Sequence, residues 1–281
     1  MVADEDDASE EPKLEEVDLP YLGTGKKAKQ TVTSKKEIVI EPAKASAEAP
    51  LFINRMPTGI EGFDELVEGG IPKDSLVLLS GSTGTGKSTF AMNFLVKGLE
   101  MGQRGCYISL EESIEETIRQ MRIFNWDINK MIAEGDLVLR KPELYDFDEL
   151  LMTIEDAVAK VNAERLVIDS ISLISLYFQD QFKVRRAIFD LEKSIKNMGC
   201  TTIALSEVPA QEGKFSRFGV EEFVADGLIV LYMIKKENVF HRGISVIKMR
   251  ATNHSLKVHP FQIEAGRGIV VYPTEELFTK F

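Results

Sequence analysis

The 281 residues are 44% hydrophobic and 28% charged, enough apolar side chain for a full core and a length that suits one large domain with an appendage. A formal net charge of −11 and a sequence pI near 5.0 argue against general attraction to nucleic acid or anionic lipid, leaving only a local basic groove open to either. The N-terminal Met-Val-Ala-Asp-Glu-Asp-Asp lacks the basic start and apolar stretch of a secretory signal, and no run approaches membrane-spanning length, so a cytoplasmic protein without a membrane partner is expected.

Residues 1–50 carry the acidic run Asp4-Glu5-Asp6-Asp7, the pair Lys26-Lys27 and the Pro/Ala stretch around Glu41-Pro42-Ala43. Such a segment buries too little apolar surface to offset its ordering entropy and is expected to be a largely disordered acidic tail. Thr31-Val32 and Ile38-Val39-Ile40 are its candidates for a short strand.

From residue 51 to 281, short β-rich apolar runs alternate with amphipathic helices, which predicts an α/β domain: a mostly parallel sheet covered by helices. Strands are predicted at 76–79, 106–110, 166–169 and 201–205, and helices at 147–161 and 184–198. Beyond residue 226 the helical periodicity stops. Residues 227–234, 243–250, 259–263 and 268–272 read as consecutive strands, an antiparallel, hairpin-rich end to the same sheet. Cys106 and Cys200 each open an apolar β-like run and are expected to be buried, reduced thiols.

Between the first of these strands and a helix lies Gly81-Ser82-Thr83-Gly84-Thr85-Gly86-Lys87-Ser88. Its glycines let the chain curl with successive N–H groups facing one point, and the following helix N-terminus adds further donors and partial positive charge. Lys87 is placed to reach the β- and γ-phosphates of a nucleotide and Ser88 to ligate Mg²⁺; Thr89 is grouped with the loop as nucleotide-binding. Asp169 closes the run Leu166-Val167-Ile168 at the carboxyl end of a strand, where it would hold the metal's water shell. Glu111 and Glu112 follow the strand ending at Leu110. Because Ser113 and Glu116 already form a Ser-x-x-Glu capping box, the glutamate pair is left to orient or deprotonate water, with Glu111 the favoured base.

In Ile244-Ser245-Val246-Ile247-Lys248-Met249-Arg250, alternation puts Lys248 and Arg250 on one strand face. On pattern alone the pair fits equally a phosphate clamp, including one acting on a neighbouring subunit, and a solvated edge guarded by charge. His254, four residues beyond Arg250, is a candidate nucleotide contact.

Taken together, residues 51–273 resemble the KaiC-like branch of the RecA/DnaB superfamily of P-loop ATPases. The resemblance runs through Pro57-Thr58-Gly59-Ile60, Phe63-Asp64, Gly69-Gly70-Ile71-Pro72, the phosphate loop, Glu111-Glu112-Ser113 and Asp169-Ser170. Two later segments, residues 218–226 and Lys248-Met249-Arg250-Ala251-Thr252-Asn253-His254, are specific to that branch. The resemblance implies a RecA-like fold, Mg²⁺ and ATP as ligands, and a ring, usually a homo-hexamer, with nucleotide between subunits. It further implies that Lys248 and Arg250 reach the neighbour's γ-phosphate, that Thr252 and His254 lie nearby, and that Glu111 and Glu112 prepare the attacking water. Ala251 stands where the branch usually has glycine. Glu222 and Phe223 stand where the second lobe of KaiC carries its Ser/Thr autophosphorylation sites, so the chain resembles the ATPase-only first lobe; nearby hydroxyls such as Ser216 leave other acceptor sites open. The expected activity is slow ATP hydrolysis by a ring that regulates or signals through a protein partner. The alternatives are an ATP-sensing scaffold and a DNA-handling RecA relative whose pore Lys183, Arg185 and Arg186 would line.

Overall fold

The structure is a computed structural model that describes residues 53–143, 146–178, 180–208 and 214–277. The expected acidic tail and its two strand candidates lie outside these residues. A small ribbon of β1 (Arg55–Met56) and β2 (Ile71–Pro72), with α1 (Phe63–Leu66) between them, precedes the main sheet. That sheet has nine strands in the order β11-β10-β9-β8-β3-β7-β6-β4-β5. Its parallel part comprises β3 (Leu76–Gly81), β4 (Gly105–Ser109), β5 (Leu137–Arg140), β6 (Arg165–Asp169), β7 (Thr201–Glu207) and β8 (Gly227–Lys236). Antiparallel β9 (Val239–Met249), β10 (His259–Glu264) and β11 (Gly268–Val271) complete one side.

Two apolar layers follow from the period of two along each strand. Val77, Leu79, Tyr107 and Val167 face one layer, closed by α2 (Lys87–Glu100), where Phe63 and Phe90 meet edge to face at 5.2 Å. Leu76, Leu78, Cys106, Ile108, Leu166 and Ile168 face the other, under α5 (Phe147–Val161) and α6 (Gln181–Met198). Burying each of these large side chains contributes about 1.5–3 kcal/mol. Asp146 caps α5 by accepting from the Asp148 and Glu149 N–H groups, and Gly199, at φ 66, ends α6 in the left-handed region. Both cysteines are buried and free, the Cys200 thiol donating to the Ala163 carbonyl.

The predicted strands and the 147–161 helix are present. Elements with no counterpart in the sequence reading include β5, a four-residue edge strand, the short helix α4 (Ile128–Ala133) and the β1–β2 ribbon, while α3 (Ile114–Met121) follows the capping box expected at Ser113. The strand predicted at 243–250 is longer at its start and stops at Met249. A bulge between Leu228 and Ile229 leaves Ile247 unmatched and half-exposed, and Arg250 lies just past the strand. The irregularity falls before Lys248 and leaves the alternation through Lys248, buried Met249 and Arg250 intact.

Candidate active site

β3 delivers the chain to the phosphate loop, and α2 carries it away. Gly86 sits at φ 104 at the N-cap of α2, with no side chain capping that helix, so its first-turn N–H groups face the loop. Glycine is also required at position 81, where a Cβ would stand 2.7 Å from Thr85 Oγ1 and 2.8 Å from the Leu231 carbonyl. The buried Thr85 hydroxyl donates to the Ser82 carbonyl at 2.8 Å and closes the loop from inside, while Thr83 and Gly84 are exposed at its tip. Lys87 Nζ donates to the Gly81 and Ser82 carbonyls at 3.0 and 3.1 Å. Burial lowers the Lys87 pKa, opposed by the carboxylates of Glu207, Asp169 and Glu111. The loop thus offers a cationic group beside the uncapped first-turn N–H groups of α2, the kind of donor set a polyphosphate requires.

Asp169 ends β6 on the α2 side of the sheet. Its Oδ2 accepts from Ser88 Oγ at 2.8 Å and from Tyr107 Oη at 2.5 Å, and Oδ1 has no protein donor among the described residues. Burial raises its pKa; the two hydroxyl donors and Lys87 counteract this, and Glu111 adds to it. The Tyr107 phenol is pushed well above its ordinary value, first by burial and then by Asp169. A hydroxyl and a carboxylate are hard oxygen donors suited to Mg²⁺, which binds proteins through one or two carboxylates plus phosphate and water. Among the described residues no three His, Cys, Asp or Glu side chains cluster as a self-sufficient cage. An ion held by Ser88 and Asp169 would take its remaining ligands from nucleotide and water.

Parallel pairing of β4 with β6 sets Ser109 opposite Asp169 and carries Glu111 to the same edge. The buried Ser170 hydroxyl donates to Glu111 Oε1 at 2.5 Å. Glu112 turns away: its Oε2 accepts from Gln120 Nε2 at 2.9 Å on α3. The capping box is present, with the Ser113 hydroxyl accepting from the Glu116 N–H and the Glu116 carboxylate accepting from the Ser113 N–H, so neither of the preceding glutamates caps the helix.

Lys248 and Arg250 lie at the opposite end of the sheet. Lys248 pairs with Leu228, which lies beside Leu78, and its ammonium donates to the carbonyls of Glu222, Phe223 and Ala225. Burial and the neighbouring Arg250 lower its pKa. Arg250 Nη1 bonds Asp226 Oδ1 at 2.6 Å, and Asp226 Oδ2 accepts the Leu76 N–H at the start of β3. Along β3, Gly81 lies about 16 Å beyond Leu76 and about 10 Å beyond Leu78. The Lys248 ammonium is turned to the carbonyls of Glu222, Phe223 and Ala225 while Arg250 is turned to Asp226, so the cations and the phosphate loop do not meet on one phosphate within one chain. Thr252 accepts from Arg55 and donates to the Arg250 carbonyl; half-buried His254 bonds the Ser255 carbonyl through Nδ1. The structure therefore brings Gly81 through Thr89, Asp169 and Glu111 together, and gathers Lys248, Arg250 and Thr252 elsewhere.

Sequence reasoning missed Tyr107, Ser170, Glu207 and Asp226. Tyr107 carried a usable signal: it shares strand parity with Ser109, the residue opposite Asp169. Glu207, opposite Gly81 in the register, had none, since its role depends on which strand neighbours β3. Ser216, an open phosphoacceptor by sequence, is fully buried and bonded to the equally buried Glu221 at 2.9 Å.

The KaiC ATPase family model matches residues 56–276, which include both ends of the sheet described above. A UPF0273 protein of Thermotoga maritima is 37% identical over 241 residues, covering 80% of this chain and 98% of that protein. The circadian clock protein KaiC3 of Synechocystis is 35% identical over 232 residues, 79% of this chain but 46% of the longer relative. The crystal structure of a KaiC-like protein from Pyrococcus horikoshii superposes with a TM-score of 0.73 at 44% identity, covering 79% of this chain and 100% of that one.

Proposed function

The chain belongs to the KaiC family of ATPases, and from that premise we propose that it works as a homo-oligomeric ring, a hexamer by its resemblance, with Mg-ATP held between adjacent copies. Residues 51–281 form the ATPase domain in this reading, and 1–50 are an acidic appendage. Lys87 and the N–H groups of residues 81–89 hold the phosphates, and Ser88 and Asp169 hold the metal, which supplies charge neutralisation of the phosphoryl oxygens. Glu111, fixed by Ser170, orients or deprotonates the attacking water; Glu112 assists from the Gln120 side.

One observation carries the ring: the cations the family resemblance assigns to the γ-phosphate sit at the opposite end of the strands from their own phosphate loop. A head-to-tail contact brings one copy's Lys248, Arg250, Thr252 and His254 to the next copy's loop, and such contacts close into rings. Hydrolysis in this arrangement is slow and changes affinity for a protein partner. No helix among the described residues is long and apolar enough to cross a membrane. The acidic sequence Met-Val-Ala-Asp-Glu-Asp-Asp, with neither a basic start nor an apolar stretch, is what supports placing the ring in the cytoplasm. Burial of Ser216 and the identities Glu222 and Phe223 disfavour autophosphorylation there.

The test is particle mass by light scattering with and without Mg-ATP, beside phosphate release. A nucleotide-dependent multimer that hydrolyses ATP is expected. A monomer under all conditions defeats the ring, and a multimer without turnover leaves a nucleotide-sensing scaffold in its place.

A further inference from the structure

Arg55, on β1 and only 15% exposed, touches four acceptors from two parts of the chain. Nη1 donates to Thr252 Oγ1 at 2.8 Å and to the Gly70 carbonyl at 3.3 Å. Nη2 donates to Glu68 Oε2 at 2.5 Å and to the Ala251 carbonyl at 3.2 Å. Two of these acceptors belong to non-glycine residues held in the left-handed backbone region, Glu68 at φ 57 and Ala251 at φ 55. Residues of that kind stay in such conformations only where their surroundings over-determine them, and they gather at functional sites. Here one planar guanidinium holds both turns. The Ser255 N–H, bonded to the Leu66 carbonyl at 2.9 Å, pins the far side of the same loop to the same turn.

We infer that Arg55 is a positioning residue for the loop Arg250 to His254, setting the angle at which that loop meets the nucleotide of the adjacent copy. The inference rests on the intersubunit reading above and adds to it a part that touches neither nucleotide nor metal. A lysine cannot substitute. Four acceptors in two directions match the guanidinium's fixed fork, whereas an ammonium reaching Glu68 keeps the charge and loses the angle between the two turns. Arg55 thus replaces, by external bracing, the conformational ease a glycine at position 251 would give.

The experiment compares Arg55→Lys, Arg55→Met, Thr252→Val and the double variant Arg55→Lys/Thr252→Val in full-length protein, reading kcat, KM for Mg-ATP and the thermal midpoint. Arg55→Lys should keep the midpoint and KM within error while kcat falls about tenfold, because displacements near 1 Å cost up to about 100-fold. Arg55→Met, which keeps the aliphatic stem, should fall at least as far. Because Arg55 acts through Thr252, adding Arg55→Lys to Thr252→Val should lower kcat by less than about twofold more. If Arg55→Met does not fold, the lysine and valine variants carry the test alone. Wild-type kcat in Arg55→Lys, or fully additive losses in the double variant, overturns the inference. Arg250→Ala separates the two levels. If it leaves turnover intact, the intersubunit reading fails and takes this inference with it; if it abolishes turnover while Arg55→Lys does not lower it, only the role of Arg55 falls.

Discussion

Ser88 Oγ stands 2.8 Å from Asp169 Oδ2, joining the first turn of α2 to the end of a strand 81 residues later. Burial of this carboxylate costs stability at neutral pH, and the hydrogen bond from Ser88 offsets only part of that cost. Burial lifts the Asp169 pKa above its ordinary 3.8, so the folded chain holds that proton more tightly than the unfolded chain. The stabilisation from protonation is full below pH 3.8 and is lost as pH rises through the elevated native value. At pH 7 the ionised carboxylate therefore opposes folding until a cation arrives. Asp169→Asn removes the charge and keeps an acceptor for Ser88 and Tyr107. Its metal-free thermal midpoint at pH 7 should equal or exceed that of the wild type. Mg-ATP turnover should fall by more than the about 10–100-fold typical of changes behind a metal ligand. A midpoint well below wild type would show the carboxylate to be structural.

Tyr107 supplies the second donor to the same oxygen, at 2.5 Å, from within the core. Tyr107→Phe keeps the packed ring and removes a hydrogen bond that lowers the Asp169 pKa. The Mg²⁺ concentration giving half-maximal turnover should rise about tenfold, within the range for second-layer partners of a ligand. Saturating Mg²⁺ should restore most of kcat. An unchanged Mg²⁺ dependence would remove Tyr107 from the metal site.

Glu111 and Glu112 are neighbours in sequence with different surroundings. Ser170 fixes the Glu111 carboxylate beside Asp169, whereas Glu112 bonds Gln120 on α3. Glu111→Gln should lower kcat about 100-fold or more, in the range of a lost general base, and Glu112→Gln less than about tenfold. Both should bind a fluorescent ATP analogue with wild-type affinity. Equal losses from the two variants would mean that either carboxylate can face the water.

The phosphate loop, the strands around it and Asp169 were legible because each rests on local chemistry: glycines at a turn, a lysine and a serine at fixed spacing, a carboxylate closing an apolar run. The C-terminal strands were legible for the same reason. What local pattern could not supply was neighbourhood. Glu207 approaches Lys87 only because β7 lies beside β3, and Arg250 meets Asp226 only because β9 folds back along β8. The bulge at Ile247 also escaped, since an added residue in a ladder leaves the apolar sequence pattern nearly intact. Short α4 carries too few turns for a helical period to register, and α3 was announced by its capping box alone.

Ala251 adopts φ 55 where a side chain crowds the backbone. The left-handed region costs an L-residue about 1–2 kcal/mol, partly offset by the about 0.4–1 kcal/mol of unfolded-chain entropy that glycine adds. Ala251→Gly should therefore raise stability by up to about 1 kcal/mol, read as a higher urea midpoint at unchanged slope. Its exposed side chain makes no packing contribution large enough to reverse the sign. A lower midpoint would mean that the bracing by Arg55 has removed the strain.

The separation of Arg250 from its own phosphate loop makes complementation between defective copies the sharpest test of the site. Lys87→Ala chains lack a working phosphate loop but retain Lys248 and Arg250; Arg250→Ala chains retain the loop and lack the finger. Each should be inactive alone. In a head-to-tail ring assembled at random from equal amounts, about one interface in four joins an intact loop to an intact finger, half the loops times half the fingers. Particles mixed before nucleotide is added should thus recover about a quarter of wild-type turnover, rising and falling with the mixing ratio and peaking near equality. A site complete within one chain has no such route. No combination of these two defects could then restore it, so a mixture as inactive as its components, in particles shown to contain both chains, would return Arg250 to a structural role beside Asp226.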